Sequence, residues 1–517
     1  MSDEPTPSHR PPPVRWWLAG LILLAAALGY GGLWFIPHVS QQQFNLQVAQ
    51  IIIISFLLLL LWVMLFSRMR WRTRFAILGL VFGGLGLMAA LFRMHGVSGN
   101  LVPILEPRWV RHEFQKPTAL APVTALQAQS SASDFPQFLG PNRDGRLAGP
   151  RLATNWTERP PAQLWRVPVG AAWSGFAVVG AVAITQEQRG AEECVIAYDL
   201  PTGKVLWSHA DPRRFFNTLA GEGPRATPTI AGRRVFVQGA TGLLNCLDLA
   251  DGHPLWSKDL FATNGASLPG WGEAISPLVL PDLVIVSAGS PKETALVAFR
   301  VADGSLAWSN AAPQAGYSSP VAATFAGTKQ ILLFADALIG FDASTGLELW
   351  RFPWPGGHPH VSTPILAGDS EVIISSGYGT GSARVKIERD ATGQWSAKPV
   401  WRTNRMKAKF TDLILQRDSI YGLDDGIMEC IDARTGALAW KDGRYGHGQS
   451  LLVADLLLVM AESGEVILLD PQPDKLRELT RFRALDGKTW NPPALAGQYL
   501  LVRNDKEAAC FKMPLRN

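Results

Sequence analysis

The chain has 517 residues, a formal net charge of +5 and 47% hydrophobic residues, which leaves room for one large domain plus further segments. Its basic residues form no stripe with interleaved aromatics, so nucleic acid is excluded as an expected partner. Its four cysteines (Cys194, Cys246, Cys430 and Cys510) include no close pair and no Cys-x-x-Cys, and they read as buried small hydrophobes.

In chain order, residues 1–15 are polar and Pro-rich and read as a short tail. Region 16–92 holds three apolar runs, 16–36, 49–66 and 75–92, each long enough to span a membrane as a helix. Gly79, Gly83, Gly84 and Gly86 suit close helix packing in the third. The first connection carries no Lys or Arg, whereas the second carries Arg68, Arg70, Arg72 and Arg74. Clustered arginines stay on the cytoplasmic side. The tail is therefore expected in the cytoplasm, with everything after about residue 93 outside. Residues 93–133 show no period and read as a linker, and 134–163 as a lead-in to a large repetitive domain.

From 164 to 513 one unit recurs. The stretch GFDASTGLELW (340–350) reads as a strand ending at Asp342, a turn through Thr345-Gly346, and a strand closing on Trp350. Asp342 can accept from turn amides, and Gly346 can take the positive φ of the reversal. Copies end at Trp207, Trp256, Trp308 and Trp440. Trp165 opens the series, Trp401 follows a rewritten turn, and Phe482 ends a degraded copy. Eight positions spaced by roughly 40–50 residues suit eight four-stranded propeller blades. Each unit starts at a second signal: Thr227-Pro228, Ser276-Pro277, Ser319-Pro320, Thr363-Pro364 or Pro492-Pro493. The last unit supplies only three strands, and 164–169 is its missing outer strand. The two ends thus share a blade and close a ring, which protects sheet edges.

The pattern Ala-x-Asp-x-x-Thr-Gly-x-x-x-Trp resembles the repeat of the pyrroloquinoline-quinone (PQQ) propeller superfamily. The lead-in 134–145 is similar to that of secreted bacterial members. The resemblance implies an all-β eight-bladed β-propeller, preceded here by an α-helical membrane anchor of three transmembrane helices. It also implies that each repeat Trp docks against a neighbouring blade. The expected location becomes the bacterial inner (cytoplasmic) membrane, with the N terminus cytoplasmic and the propeller on the periplasmic side.

Inner strands line a propeller's channel, so equivalent positions just before them should ring one mouth. Three residues before each inner-strand Pro, or its substitute, stand Trp173, Arg225, Ala274, Tyr317, Val361, Lys409, His447 and Trp490. Glu273, Gln449 and Asn491 adjoin this set. Aromatic faces with two cations and a titratable His at a rim suit an anionic planar ligand, and PQQ is one. The superfamily holds non-catalytic scaffolds and quinoprotein dehydrogenases alike. Those enzymes use PQQ with Ca²⁺, an Asp base and often an adjacent Cys pair. No two cysteines are adjacent here, and the sequences around Glu273, Asn491 and Asp425 do not match the enzymes' motifs. No metal ligand or catalytic residue is assigned. The expected function is a binding or assembly scaffold, with a protein partner or an anionic small molecule at the mouth. The alternative is a PQQ-dependent quinoprotein dehydrogenase that oxidises an alcohol or sugar and donates electrons to the membrane.

Overall fold

The computed structural model describes residues 13–36, 40–110, 129–264, 268–287, 296–310, 317–355 and 357–516. Residues 1–12 of the expected tail and 111–128 of the expected linker lie outside the described residues. The chain divides into two units, Met1–Arg111 and His112–Asn517.

The first unit contains α1 (Trp16–Leu33), α2 (Gln41–Leu61) and α3 (Trp71–Leu91), with α2 running on through a π turn at Trp62–Phe66. All three are long and apolar enough to cross a membrane. Helix α2 starts ahead of its apolar run because Ser40 caps it: the Gln43 N–H donates to Ser40 Oγ at 3.2 Å. The expected linker begins instead with a hairpin, β1 (Phe92–Val97) and β2 (Pro103–Pro107). Arg93 pairs with Glu106 across it at 2.8 Å. Its turn places Leu101 at φ 59°. Gly99 and Asn100, common turn residues, stand directly before it.

The second unit is an eight-bladed β-propeller. After a short β3 (Arg146–Leu147) and β4 (Ala162–Pro168), blades 1 to 7 follow in order, each with four consecutive antiparallel strands. Their inner strands are Ala177–Val179, Thr229–Ala231, Leu278–Val279, Val321–Phe325, Ile365–Leu366, Ile414–Gln416 and Gln449–Val453. Blade 8 has Ala494–Ala496, Tyr499–Arg503 and Glu507–Lys512 from the C-terminal end, with β4 as its outer strand. Cys510 faces Trp165 in that pairing. Every blade carries a bulge between its third and outer strands, and bulges add the twist a radial stack needs. All four cysteines lie on third strands, buried and free. Burial pushes Cys194, Cys246 and Cys510 up to about 12, which leaves them unreactive thiols.

Core packing lies between blades. The indole N–H of Trp308 donates to Ala343 O, one residue after the turn Asp of the next blade. The same bond joins Trp165 to Leu200, Trp207 to Leu249 and Trp401 to Ala433; Trp256 reaches Val301 after Arg300, and Trp440 reaches Gln472, two residues after Asp470. A Cβ on Gly346 would sit 2.4 Å from the Trp308 ring. The turn glycine thus serves two needs, a φ of +73° and space for the neighbour's indole. The expected docking therefore holds at six of eight interfaces. At the fourth, Trp350 turns back on its own blade and donates to Gln330 Oε1 at 2.7 Å. At the seventh, the residue in the Trp register is Thr480, not Phe482: Thr480 pairs with Leu468 beside the bulge.

The Ser/Thr-Pro signal also has a circumferential meaning. Gly175 N–H donates to Thr227 Oγ1, Thr227 N–H to Ser276 Oγ, and Ser276 N–H to Ser319 Oγ, at 2.9–3.1 Å. Thr363 N–H donates to Asp412 Oδ1 at 2.6 Å. Each of these blade starts is thereby tied to the next. The lead-in reaches several blades: Phe135 bridges Val178, Pro136 O accepts from Ile230, and β3 pairs with the inner strand of blade 7. Arg143, 4% exposed, donates to Ser276 O and Pro277 O at 2.9 and 3.0 Å.

Candidate functional site

The segments that precede the inner strands carry the sequence-derived positions. Trp173 before blade 1 and Trp490 before blade 8 meet with ring centroids 4.9 Å apart. Trp490 touches Phe410 at 5.3 Å, Phe410 touches Trp271 at 6.4 Å, and Trp271 touches Tyr317 at 6.1 Å. These five rings come from the approaches to blades 1, 8, 6, 3 and 4, so the series of contacts crosses the ring. His447 joins it against Phe410 at 5.5 Å.

The cations beside these rings are engaged. Arg225 lies 4.3 Å from the Phe215 ring centroid and donates to the carbonyls of Ala220, Gly221 and Gly223. Burial pulls its guanidinium below the ordinary value, with Glu193 opposing. Lys409 is 1% exposed, 3.6 Å from Asp425 and 5.1 Å from the Tyr378 ring centroid. Burial lowers it too, against the pull of Asp425. Burial first, then Lys409, brings the His447 imidazole down to about 4, so it is neutral at pH 7. The sequence placed these residues at an open rim, whereas Lys409 and His447 are interior.

The remaining positions support the loops. Gln449 Nε2 donates to Phe410 O and Trp490 O at 2.6 and 3.0 Å. Asn491 Nδ2 donates to Ala172 O and Ser174 O at 3.0 and 2.8 Å. Glu273 is 2% exposed, and its Oε1 has no hydrogen-bond partner among the described residues. Burial pushes its carboxyl up to about 8, so it is largely neutral below that pH. No three His, Cys, Asp or Glu side chains converge as a metal-holding group among the described residues.

Three residues of the cluster, Trp271, Phe410 and Glu462, escaped the sequence reading, whereas Lys488 lies in the stretch 486–491 that the sequence places at the mouth beside Trp490. Trp271 and Phe410 bridge the predicted aromatics. Glu462 accepts from the His447 N–H at 2.9 Å and from Trp490 Nε1 at 3.0 Å. Lys488 Nζ lies 4.6 Å from the Trp173 ring centroid and 4.2 Å from that of Trp490. Choosing one register position per blade passed over Phe410, next to Lys409, and Trp271, two residues before Glu273, and could not reach Glu462, which stands in the turn between the second and third strands of blade 7. The signal for Lys488 was the run of aromatics and charges at 486–491.

Against known proteins, the sequence model of the family described as outer membrane protein assembly factor BamB matches residues 191–442. This range runs from the third strand of blade 1 to the outer strand of blade 6. A search of curated proteins finds no match. Among solved structures, BamB from Moraxella catarrhalis is 14% identical with a TM-score of 0.50, covering 68% of this chain and all of that one. A europium-containing methanol dehydrogenase is 12% identical with a TM-score of 0.53, over 72% of this chain and 90% of that one. Quinohemoprotein alcohol dehydrogenase from Comamonas testosteroni is 13% identical with a TM-score of 0.51, over 75% and 81%. The second unit is a PQQ-like β-propeller. The protein as a whole is such a propeller preceded by three helices of membrane-spanning length and apolarity. At these identities the solved structures establish the fold alone.

Proposed function

We propose that the protein is a membrane-anchored binding or assembly scaffold whose propeller engages a protein partner at the mouth built around Trp173 and Trp490. One observation carries this reading: the side chains expected to hold a planar anion are engaged with one another and with loop groups. Five rings run in contact from Trp173 to Tyr317. Arg225 spends donors on loop carbonyls, and Lys409 pairs with Asp425. The residues present do not fit PQQ, which needs a free aromatic face and uncommitted donors for its carboxylates. The BamB family description names an assembly factor, which is in keeping with the scaffold reading.

The scaffold is assigned to the bacterial inner membrane, with the loop 68–74 in the cytoplasm and the propeller in the periplasm, because the arginines cluster on that loop. Reporter fusions at residue 70 and at the C terminus should give opposite signals; matching signals would refute the orientation. Titration of the purified protein with PQQ and Ca²⁺, followed by absorbance and by dye-linked alcohol or sugar oxidation, should show no saturable binding and no turnover. Saturable binding with turnover would overturn the scaffold reading in favour of the dehydrogenase.

A further inference from the structure

The geometry points to the paired faces of Trp173 and Trp490 as a cation-binding cage, now filled by the chain's own Lys488, that takes a Lys or Arg side chain of a partner polypeptide. The inference rests on the scaffold reading, and it reverses the ligand charge that the sequence suggested.

The cage has two indole faces, with the Lys488 ammonium within 5 Å of both ring centroids. An ammonium held over aromatic faces is attracted by the ring quadrupole, most strongly over Trp. The charges around it favour a cation as well. Glu462 holds Trp490 by the indole N–H and His447 by its backbone N–H. Burial lowers Lys488 below its ordinary value, while Asp505 and Glu462 act more strongly in favour of its charged form than Lys506 and Arg225 act against it. Of the other cations nearby, Lys409 has Asp425, and Arg225 has loop carbonyls and the face of Phe215. An incoming anion would meet the Glu462 carboxylate beside the cage. With Lys488 withdrawn, the paired indole faces remain beside two carboxylates that outweigh Lys506 and Arg225, which is the recognition chemistry of an ammonium or guanidinium.

Lys488 is placed to leave. Its loop is pinned on both sides: Asp486 N–H donates to Glu507 Oε1 at 2.9 Å, and Thr489 N–H donates to Glu462 O at 3.0 Å. Between these points Gly487 stands in open space, with no atom within 4 Å of where its Cβ would be. Lys488 itself is half-buried. Emptying the cage takes a rotation of the Lys488 side chain while the two pins hold the loop. The lysine then acts as an internal competitor, because a site open only part of the time binds more weakly in proportion to that fraction.

The test uses the full-length protein in detergent, titrated calorimetrically with tetramethylammonium chloride against sodium chloride at matched ionic strength. Lys488→Ala should bind tetramethylammonium about tenfold or more tightly than wild type, as expected for removal of a resident occupant. Lys488→Gln, which keeps the side chain's length, should fall on the same side and covers a folding failure of the alanine variant. Adding Trp490→Leu to Lys488→Ala should abolish the gain. Equal affinity in wild type and both lysine variants would overturn the cage. So would saturable binding of citrate by wild type that is lost in the lysine variants, since it would assign the mouth to anions. A negative tetramethylammonium result with PQQ also refused leaves the scaffold standing without its cage. PQQ binding with turnover removes the scaffold reading itself.

Discussion

The interface between blades 3 and 4 and that between blades 7 and 8 solve the same packing problem with different parts. In the first, Trp308 leans on the next blade's turn, donates to Ala343 O and fills the space that Gly346 leaves open. In the second there is no turn to lean on, because the third and outer strands of blade 8 come from opposite ends of the chain. The Trp position is Thr480 there, and the lead-in supplies the aromatic: Trp156 packs edge-on to Phe482 at 5.4 Å, and its backbone N–H donates to Thr480 Oγ1 at 3.2 Å. Phe482 in turn meets Phe511 of the closing strand at 5.0 Å. The largest apolar cluster of the protein lies at this seam and includes Phe135, Leu147, Leu152 and Trp156 of the lead-in. The repeat Trp is thus a partner of the neighbouring turn and has no value to its own strand alone. Blade 5 makes the same point. Its third strand runs to Arg389, so its turn at Asp390 stands farther from the bulge beside Arg384 than Asp342 does from the bulge beside Gly340. Trp350, with no turn in reach, folds back over Gly340.

The largest effect should come from cutting the seam. Truncation at Asp505 removes the strand Glu507–Lys512, which pairs on both sides with Tyr499–Arg503 and β4. The propeller should lose its cooperative thermal transition, since an opened ring exposes two sheet edges. An unchanged melting curve would show that closure does not hold the ring. Next, Trp156→Ala should cost about 3–5 kcal/mol, as large as Trp308→Ala, if the lead-in residue is a true replacement for a repeat Trp. A cost near that of a surface change, measured by chemical denaturation, would break the equivalence.

A smaller contrast separates the two kinds of turn. Gly346→Ala should cost about 1–3 kcal/mol from overpacking against Trp308, in addition to strain at positive φ. Gly393→Ala carries only the strain, about 1–2 kcal/mol, because its nearest neighbour is the flexible end of Arg389. Equal losses would mean that the indole contact adds nothing. The smallest effect lies in the turn carboxylate. Hydrogen bonds from Ser344 and Thr345 hold Asp342 below its ordinary pKa. A depressed carboxyl contributes stability that is complete above the unfolded pKa of about 4 and lost as pH falls through the folded value. Asp342→Asn should therefore match wild type at pH 7 within about a degree or two of Tm, since the group is exposed. It should then lose less between pH 4 and 2. Parallel acid profiles for the two proteins would contradict this.

The sequence by itself determined the features whose causes lie within a few residues. Asp342, Thr345 and Gly346 make a turn wherever they occur together, so eight units, their strand order and the three-strand C-terminal remainder could be counted. Apolar runs marked three helices for the same reason, although the Ser40 cap, not the apolar run, set where α2 begins. Only the tertiary structure decided what depends on a neighbouring blade: that Trp350 turns back, that Trp156 stands in for a missing Trp, and that the Ser/Thr of the inner-strand signal accepts from the preceding blade. The mouth divides in the same way. Register reasoning chose Trp173, Tyr317 and Trp490, because strand starts recur at fixed positions. It could not know that Phe410 and Trp271 would join them, that Lys409 and His447 would be buried, or that Lys488 would lie over the faces of two indoles. Those outcomes depend on how far loops from non-adjacent blades reach across the axis, a distance set by ring closure and not by any local run of residues.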